Sequence, residues 1–90
     1  MRIEFDRAKR DQTLVTRGLD FARASEVFSG PTTDIPDLRK NYGEPRAMTF
    51  GLLDNRWIMV VWTPRGDAMR VVSMRYANGR EIKLYSGRVH

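Results

Sequence analysis

The run RWIMVVWT, residues 56–63, does more than any other feature to narrow the folds open to this chain. A strand with one wet face alternates apolar and polar residues. Ile58, Met59, Val60 and Val61 are apolar at every position, so both faces of their strand must be covered. Strand-like runs flank it at Arg46 to Leu53 and Ala68 to Arg75, with reversals at Asp54-Asn55 and at Pro64 to Asp67. Three consecutive strands joined by short turns make an antiparallel meander with residues 56–63 at its centre. Trp57 and Trp62 point to opposite faces of that strand, so at most one of them is available to stack on a base. Met59, Met69 and Met74 read as core packing. Helices in a chain of 90 residues can cover one face of the meander; the other must meet a partner, a ligand or the C-terminal segment.

The N-terminal third supplies the covering layer. RIEFD alternates Ile3 and Phe5 and reads as a short strand ending at Asp6. Asp6 then caps a helix from Arg7 to Arg17, which Gly18 closes in the left-handed position that glycine adopts at least cost. Asp20 caps a second helix, in which Phe21, Ala24, Val27 and Phe28 form one stripe and Ser29-Gly30-Pro31 is the stop signal. From Pro31 to Pro45 the periodicity dissolves and the sequence predicts a loop. The whole chain, 1–90, is expected to be a single domain.

Charge is distributed unevenly. Residues 1–55 hold nine Lys/Arg and nine Asp/Glu, whereas residues 56–90 hold seven against two, so the whole net charge of +5 sits in the last 35 residues. Thirteen of the sixteen cations are Arg, whose planar fork matches phosphate and stays ionised in any site. A polyanion, nucleic acid above all, is the indicated partner; a solvated basic face is the plainer alternative. The chain has no cysteine, and its longest apolar run is far short of the roughly 20 residues that cross a bilayer. The expectation is a cytoplasmic protein without disulfide, thiolate metal site or membrane segment. Its one histidine is His90, so chemistry must proceed without imidazole. DIPD lacks metal-ligand spacing, and no metal or cofactor is expected.

Two readings compete at RVVSMRYANGREIKLY, residues 70–85. Asn78-Gly79 between alternating runs signals a hairpin. Equally, Asn78 is a good helix cap and Glu81, three residues on, completes a capping box, with Gly79 costing that helix about 1 kcal/mol relative to alanine. Periodicity alone leans to the hairpin.

The ordered set Arg46, Gly51, Arg70, Ser73, Arg75, Ala77, Asn78, Glu81 and Tyr85, within DLRKNYGEPR, GLLDNRW and VVWTPRGDAMRVVSMRYANGREIKLY and preceded by FDRAK and GLDFARASEVF, resembles the BrnT toxins of bacterial type II toxin–antitoxin systems over about residues 5–85. The resemblance implies a RelE-like α+β fold, with two N-terminal helices packed on a small antiparallel sheet and a short C-terminal helix in place of the hairpin. It implies an endoribonuclease that inhibits translation and a BrnA-like ribbon-helix-helix antitoxin as partner, with operator DNA met only through that antitoxin. The chain departs from the family pattern twice: Thr16-Arg17-Gly18 replaces Lys-His-Gly, and Tyr76 stands where Lys is common. Both changes remove proton carriers.

RNA carries its own nucleophile. Its 2′-OH attacks the adjacent phosphorus in line, leaving a 2′,3′-cyclic phosphate and a 5′-OH, so the protein need only hold the phosphate, stabilise charge and move protons, without metal. Arg46 and Arg75, with Arg70 and Arg80, are the expected phosphate ligands. Glu81 and Tyr85, one helical turn apart, are candidates for proton transfer, and Lys9 either joins them or binds phosphate as a point charge. The catalytic set is therefore Arg46, Arg75, Glu81 and Tyr85, and the RNA-binding set Lys9, Arg70 and Arg80. The plainer reading makes Glu81 a capping residue paired with Arg75, and Tyr85 a packing anchor. The rival function is a non-catalytic interaction module that binds an antitoxin and modulates its DNA binding.

Overall fold

The computed structural model describes residues 2–39 and 41–90; Lys40 of the DLRKNYGEPR stretch lies outside the described residues. β1 (Arg2–Phe5) leads into α1 (Arg7–Arg17), then a 3-10 turn (Phe21–Arg23) and α2 (Ala24–Ser29). β2 (Thr32–Pro36), β3 (Ala47–Leu53), β4 (Arg56–Arg65) and β5 (Ala68–Tyr76) follow, then α3 (Gly79–Tyr85) and a closing 3-10 turn (Ser86–Arg88). The strands form one five-stranded sheet in the order β1-β5-β4-β3-β2, in which β1 runs parallel to β5 and every other pair is antiparallel.

The meander forms, with a second reversal tighter than expected, since Pro64 and Arg65 pair with Met69 and Ala68 in the ladder; its first reversal turns on left-handed Asp54 and Asn55, residue types that tolerate positive φ. β4 is central, and Ile58, Met59, Val60 and Val61 are all buried. On one face, Ile58, Val60, Val71 and Met74 meet Leu19, Phe21, Ala24 and Val27 in the main core. Trp62 lies on that side, edge-on to Phe28 and donating its indole N–H to Thr49 Oγ1 at 2.8 Å. Close packing fixes Gly51 in β3: a Cβ there would lie 2.9 Å from Val27 Cγ1 and 3.1 Å from Thr32 Cγ2.

The caps read from the sequence are present. Asp6 accepts from Ala8 N–H, Gly18 closes α1 with φ 71°, and Asp20 accepts from Ala22 N–H. Asp20 also receives Arg10 in a two-pronged ion pair at 2.9 Å, which ties α1 to the following turn.

Three expectations are corrected. Residues 32–36 are not loop but the edge strand β2, paired with β3 across Thr33↔Phe50 and Ile35↔Met48. The pairing partner lies more than ten residues away, which local periodicity cannot register. The sheet is neither small nor wholly antiparallel, because β1 adds a parallel strand beside β5. Nor do two N-terminal helices pack on it as a pair. α1 buries no residue, Val15 on it is exposed, and the second helix shrinks to a 3-10 turn plus six residues that carry the buried side chains.

The second face of β4 is closed by the chain's own later segments. α3, and not a hairpin arm, folds over it, with Tyr85 against Phe50. The chain then reaches the outer edge of β2, where Thr32 and His90 exchange backbone hydrogen bonds at 3.2 and 3.1 Å.

Candidate active site

β5 carries the decisive local irregularity. Val61 and Trp62 are consecutive on β4, yet they pair with Ser73 and Val71, so Val72 is an extra residue in a β-bulge. Side chains alternate along a strand, so Arg70 and Arg75, five apart, would lie on opposite faces of a regular one. The bulge resets the alternation. Val71 and Met74 both enter the main core, and Arg70, Ser73 and Arg75 all emerge on the other face.

On that face Arg75 makes a two-pronged ion pair with Glu81, Nη1 to Oε1 at 2.8 Å and Nη2 to Oε2 at 2.7 Å. Glu81 also closes the capping box of α3. Its Oε1 accepts from Asn78 N–H at 3.0 Å while Asn78 Oδ1 accepts from Glu81 N–H at 2.8 Å. The plainer reading of Glu81, cap plus ion pair, is thus fully realised in the geometry. Hydrogen bonding to the Arg75 guanidinium holds the Glu81 carboxyl below the usual carboxylate range, and the same bonds raise Arg75. Tyr85 lies one turn along α3, with its ring 5.8 Å from that of Phe50. Phe50, Met59 and Arg75 occupy one row across β3, β4 and β5, so Arg75, Glu81 and Tyr85 share a surface. Trp57 stacks flat on Phe50 at 4.6 Å and forms part of that floor.

The segment between β2 and β3 forms the opposite wall. Asp37 N–H donates to the Arg46 carbonyl, extending the ladder by one step, and Thr63 Oγ1 donates to the Pro45 carbonyl at 2.6 Å. Arg46 lies on the same side of β3 as Met48 and Phe50, its guanidinium 3.8 Å from the Tyr42 ring centroid and 3.3 Å from Glu44. It makes no ion pair with Glu81. Arg39, which sequence reasoning missed, is held by Asp37 through Nε and Nη2 at 2.8 and 2.9 Å; the Asp37 side chain is 0 % exposed and that of Arg39 57 %. That pairing keeps the Asp37 carboxyl down at about 2. The Arg39 charge also acts on both Arg75 and Glu81, which joins the two walls electrostatically. The signal for Arg39 was its spacing of two from an aspartate in DLR, too common a pattern to single out.

The other predicted residues fall nearby or apart. Lys9 donates to the bulge carbonyl of Val72 at 2.6 Å, and Arg17 to the Met74 carbonyl at 2.9 Å. β1 ends opposite Val71, so these two cations from α1 serve β5 where it has no strand on that side. They line a recess of about 300 Å³ together with Thr13, Thr16 and Ser73. Arg70 sits one row beyond Ser73, 3.8 Å from Glu4, and Arg80 is exposed on the first turn of α3. The positions departing from the family pattern are employed structurally: Arg17 as described, Thr16 bonded to the Gln12 carbonyl, and Tyr76 under the Arg56 guanidinium. Among the described residues no three His, Cys, Asp or Glu gather to hold a metal ion, and no helix is long and apolar enough to cross a membrane.

The family described as ribonuclease toxin, BrnT, of type II toxin–antitoxin system matches residues 5–81, more than four-fifths of the chain. The chain belongs to the BrnT family. No curated protein matches it. The BrnT match covers α1, strands β2 to β5 and the start of α3 through Glu81; it takes in only Phe5 of β1 and stops before Tyr85. Membership in BrnT brings RNA as target and an antitoxin as partner at the level of the family.

Proposed function

We propose that the chain is a metal-independent endoribonuclease toxin that cuts RNA by the 2′-OH route on the face bearing Arg75, Glu81 and Tyr85. The observation that carries this reading is the Arg75–Glu81 pair set beside Tyr85 over one row of the sheet, in a member of a ribonuclease toxin family. A substrate phosphate takes the Arg75 fork from Glu81. The displaced carboxylate keeps its bond from Asn78 N–H and accepts the 2′-OH proton at Oε2. The 2′ oxygen attacks phosphorus, the bond to the 5′ oxygen breaks, and Tyr85 protonates that oxygen. Arg46 meets charge on the equatorial oxygens. Lys9, Arg70 and Arg80 bind neighbouring phosphates. Within this reading the fold is RelE-like, the cell compartment is the cytoplasm, and the outcome is inhibited translation. The partner is a BrnA-like ribbon-helix-helix antitoxin that covers this arginine-bearing face and carries the toxin to operator DNA.

One observation favours the rival, a non-catalytic module that binds the antitoxin and tunes its DNA binding. Arg75 and Glu81 satisfy each other, and Thr16, Arg17 and Tyr76 are committed to structure. Incubating the protein with RNA in EDTA separates the two. The enzyme yields 2′,3′-cyclic phosphate and 5′-OH ends, and Arg75→Ala or Glu81→Gln lowers the rate on the order of 100-fold. Intact RNA at high protein excess supports the module, and parent-rate cleavage by both variants removes the assigned roles.

A further inference from the structure

The segment between β2 and β3 encloses a cleft of about 500 Å³, within the range of small-ligand sites, with a predominantly apolar lining that includes Pro36, Leu38, Tyr42 and Pro45. Leu38 is 85 % exposed at its rim, an aliphatic side chain held in water. The Arg46 guanidinium already stacks on Tyr42 inside the cleft, the kind of layered plane onto which a nucleobase adds. Glu44 is the polar group that distinguishes one base from another. Its contacts to Arg46 are 3.3 and 3.4 Å and its contact to Arg65 is 3.8 Å, all longer than the 2.7–2.9 Å of a made charge-assisted bond. Its two oxygens therefore keep acceptor capacity. A carboxylate only accepts, so it fits the one base whose Watson–Crick edge sets two N–H donors side by side. Guanine does so through N1 and N2; adenine and cytosine set a donor beside an acceptor, and uracil has a single ring donor.

We propose that this cleft is a nucleobase subsite that selects guanine in the RNA strand, with Leu38, Tyr42 and Arg46 gripping the base and Glu44 reading its edge. The subsite rests on the ribonuclease reading for its link to cleavage. That link runs through Asp37, which borders the cleft and also clamps Arg39, whose charge acts on the Arg75–Glu81 pair.

The test uses binding that needs no turnover. The full chain is titrated with 3′-GMP, 3′-AMP, 3′-CMP and 3′-UMP and followed by amide NMR shifts, in parallel with cleavage of four single-stranded RNAs that differ at one base. The subsite requires 3′-GMP to bind about tenfold tighter than the others, with shifts at Leu38, Gly43 and Glu44. Glu44→Gln must erase most of that preference, and Leu38→Ala, on an exposed side chain the fold does not need, must weaken all four about equally. Equal affinity for the four, no binding, or shifts confined to Lys9 and Arg17 overturns the proposal. Cleavage without base preference sinks the subsite and leaves the ribonuclease standing. Selective 3′-GMP binding with uncut RNA does the reverse.

Discussion

Asp37 has its side chain wholly out of water and keeps its charge because Arg39 reaches it with two N–H bonds. An unfolded aspartate titrates near 3.9, whereas this one is held down at about 2, so between those values the unfolded chain binds more protons than the folded one. The stability this pair contributes is therefore fully present above about pH 5 and is lost as pH falls through about 2. Glu81 has the same sign, its folded carboxyl being depressed by Arg75. Urea titrations from pH 7 to pH 2 should show stability falling in that acid window, with a shallower fall in Asp37→Asn. At pH 7, Arg39→Ala should cost about 1–3 kcal/mol, less than a fully buried pair because Arg39 is half in water. An unchanged denaturation midpoint would show the clamp to be energetically idle. Gly51 has the opposite problem, too little space. Gly51→Ala pushes a methyl against Val27 and Thr32 in the core and should destabilise by about 1–3 kcal/mol in the same assay.

At the scale of elements, α3 is seven residues long and buries none of them fully, so its ends decide whether it forms. Asn78→Ala removes the cap and should lower stability by about 1 kcal/mol. Gly79 lies inside the first turn, where an added methyl would meet nothing within 4 Å, so Gly79→Ala should raise stability by about 0.5–1 kcal/mol. A Gly79→Ala protein that is less stable than its parent would show that the helix is not the preferred state of this segment. The competition between hairpin and helix was visible in Asn78, Gly79 and Glu81, and periodicity alone leaned to the hairpin. What favours the helix is a contact six residues back, Arg75 on Glu81, together with the Phe50 ring that receives Tyr85. The edge strand β2 was missed for the same reason: Thr33 and Ile35 read as loop until β3 is beside them.

For the whole molecule, the asymmetry of charge survives folding as a mixed surface and not a bare basic one. Arg39 and Arg75 each hold an acid tightly, Asp37 and Glu81, and Arg46 lies beside Glu44 at a longer 3.3 Å. RNA binding must therefore exchange internal ion pairs for phosphates, which makes it sensitive to salt. With three phosphates engaged, a plot of log affinity against log salt for a single-stranded RNA should have a slope of about −2. A flat plot would exclude the phosphate-binding face. The meander, the buried centre at Ile58 to Val61, the caps at Asp6, Gly18 and Asp20, and the Arg-rich C-terminal third were all legible before folding, because each is written in residues close together in the chain. Which cations share a face was not. The extra residue Val72 reverses the alternation of β5 between Arg70 and Arg75, and a bulge is set by the partner strand and by the Lys9 bond to its carbonyl, neither of which a local pattern contains.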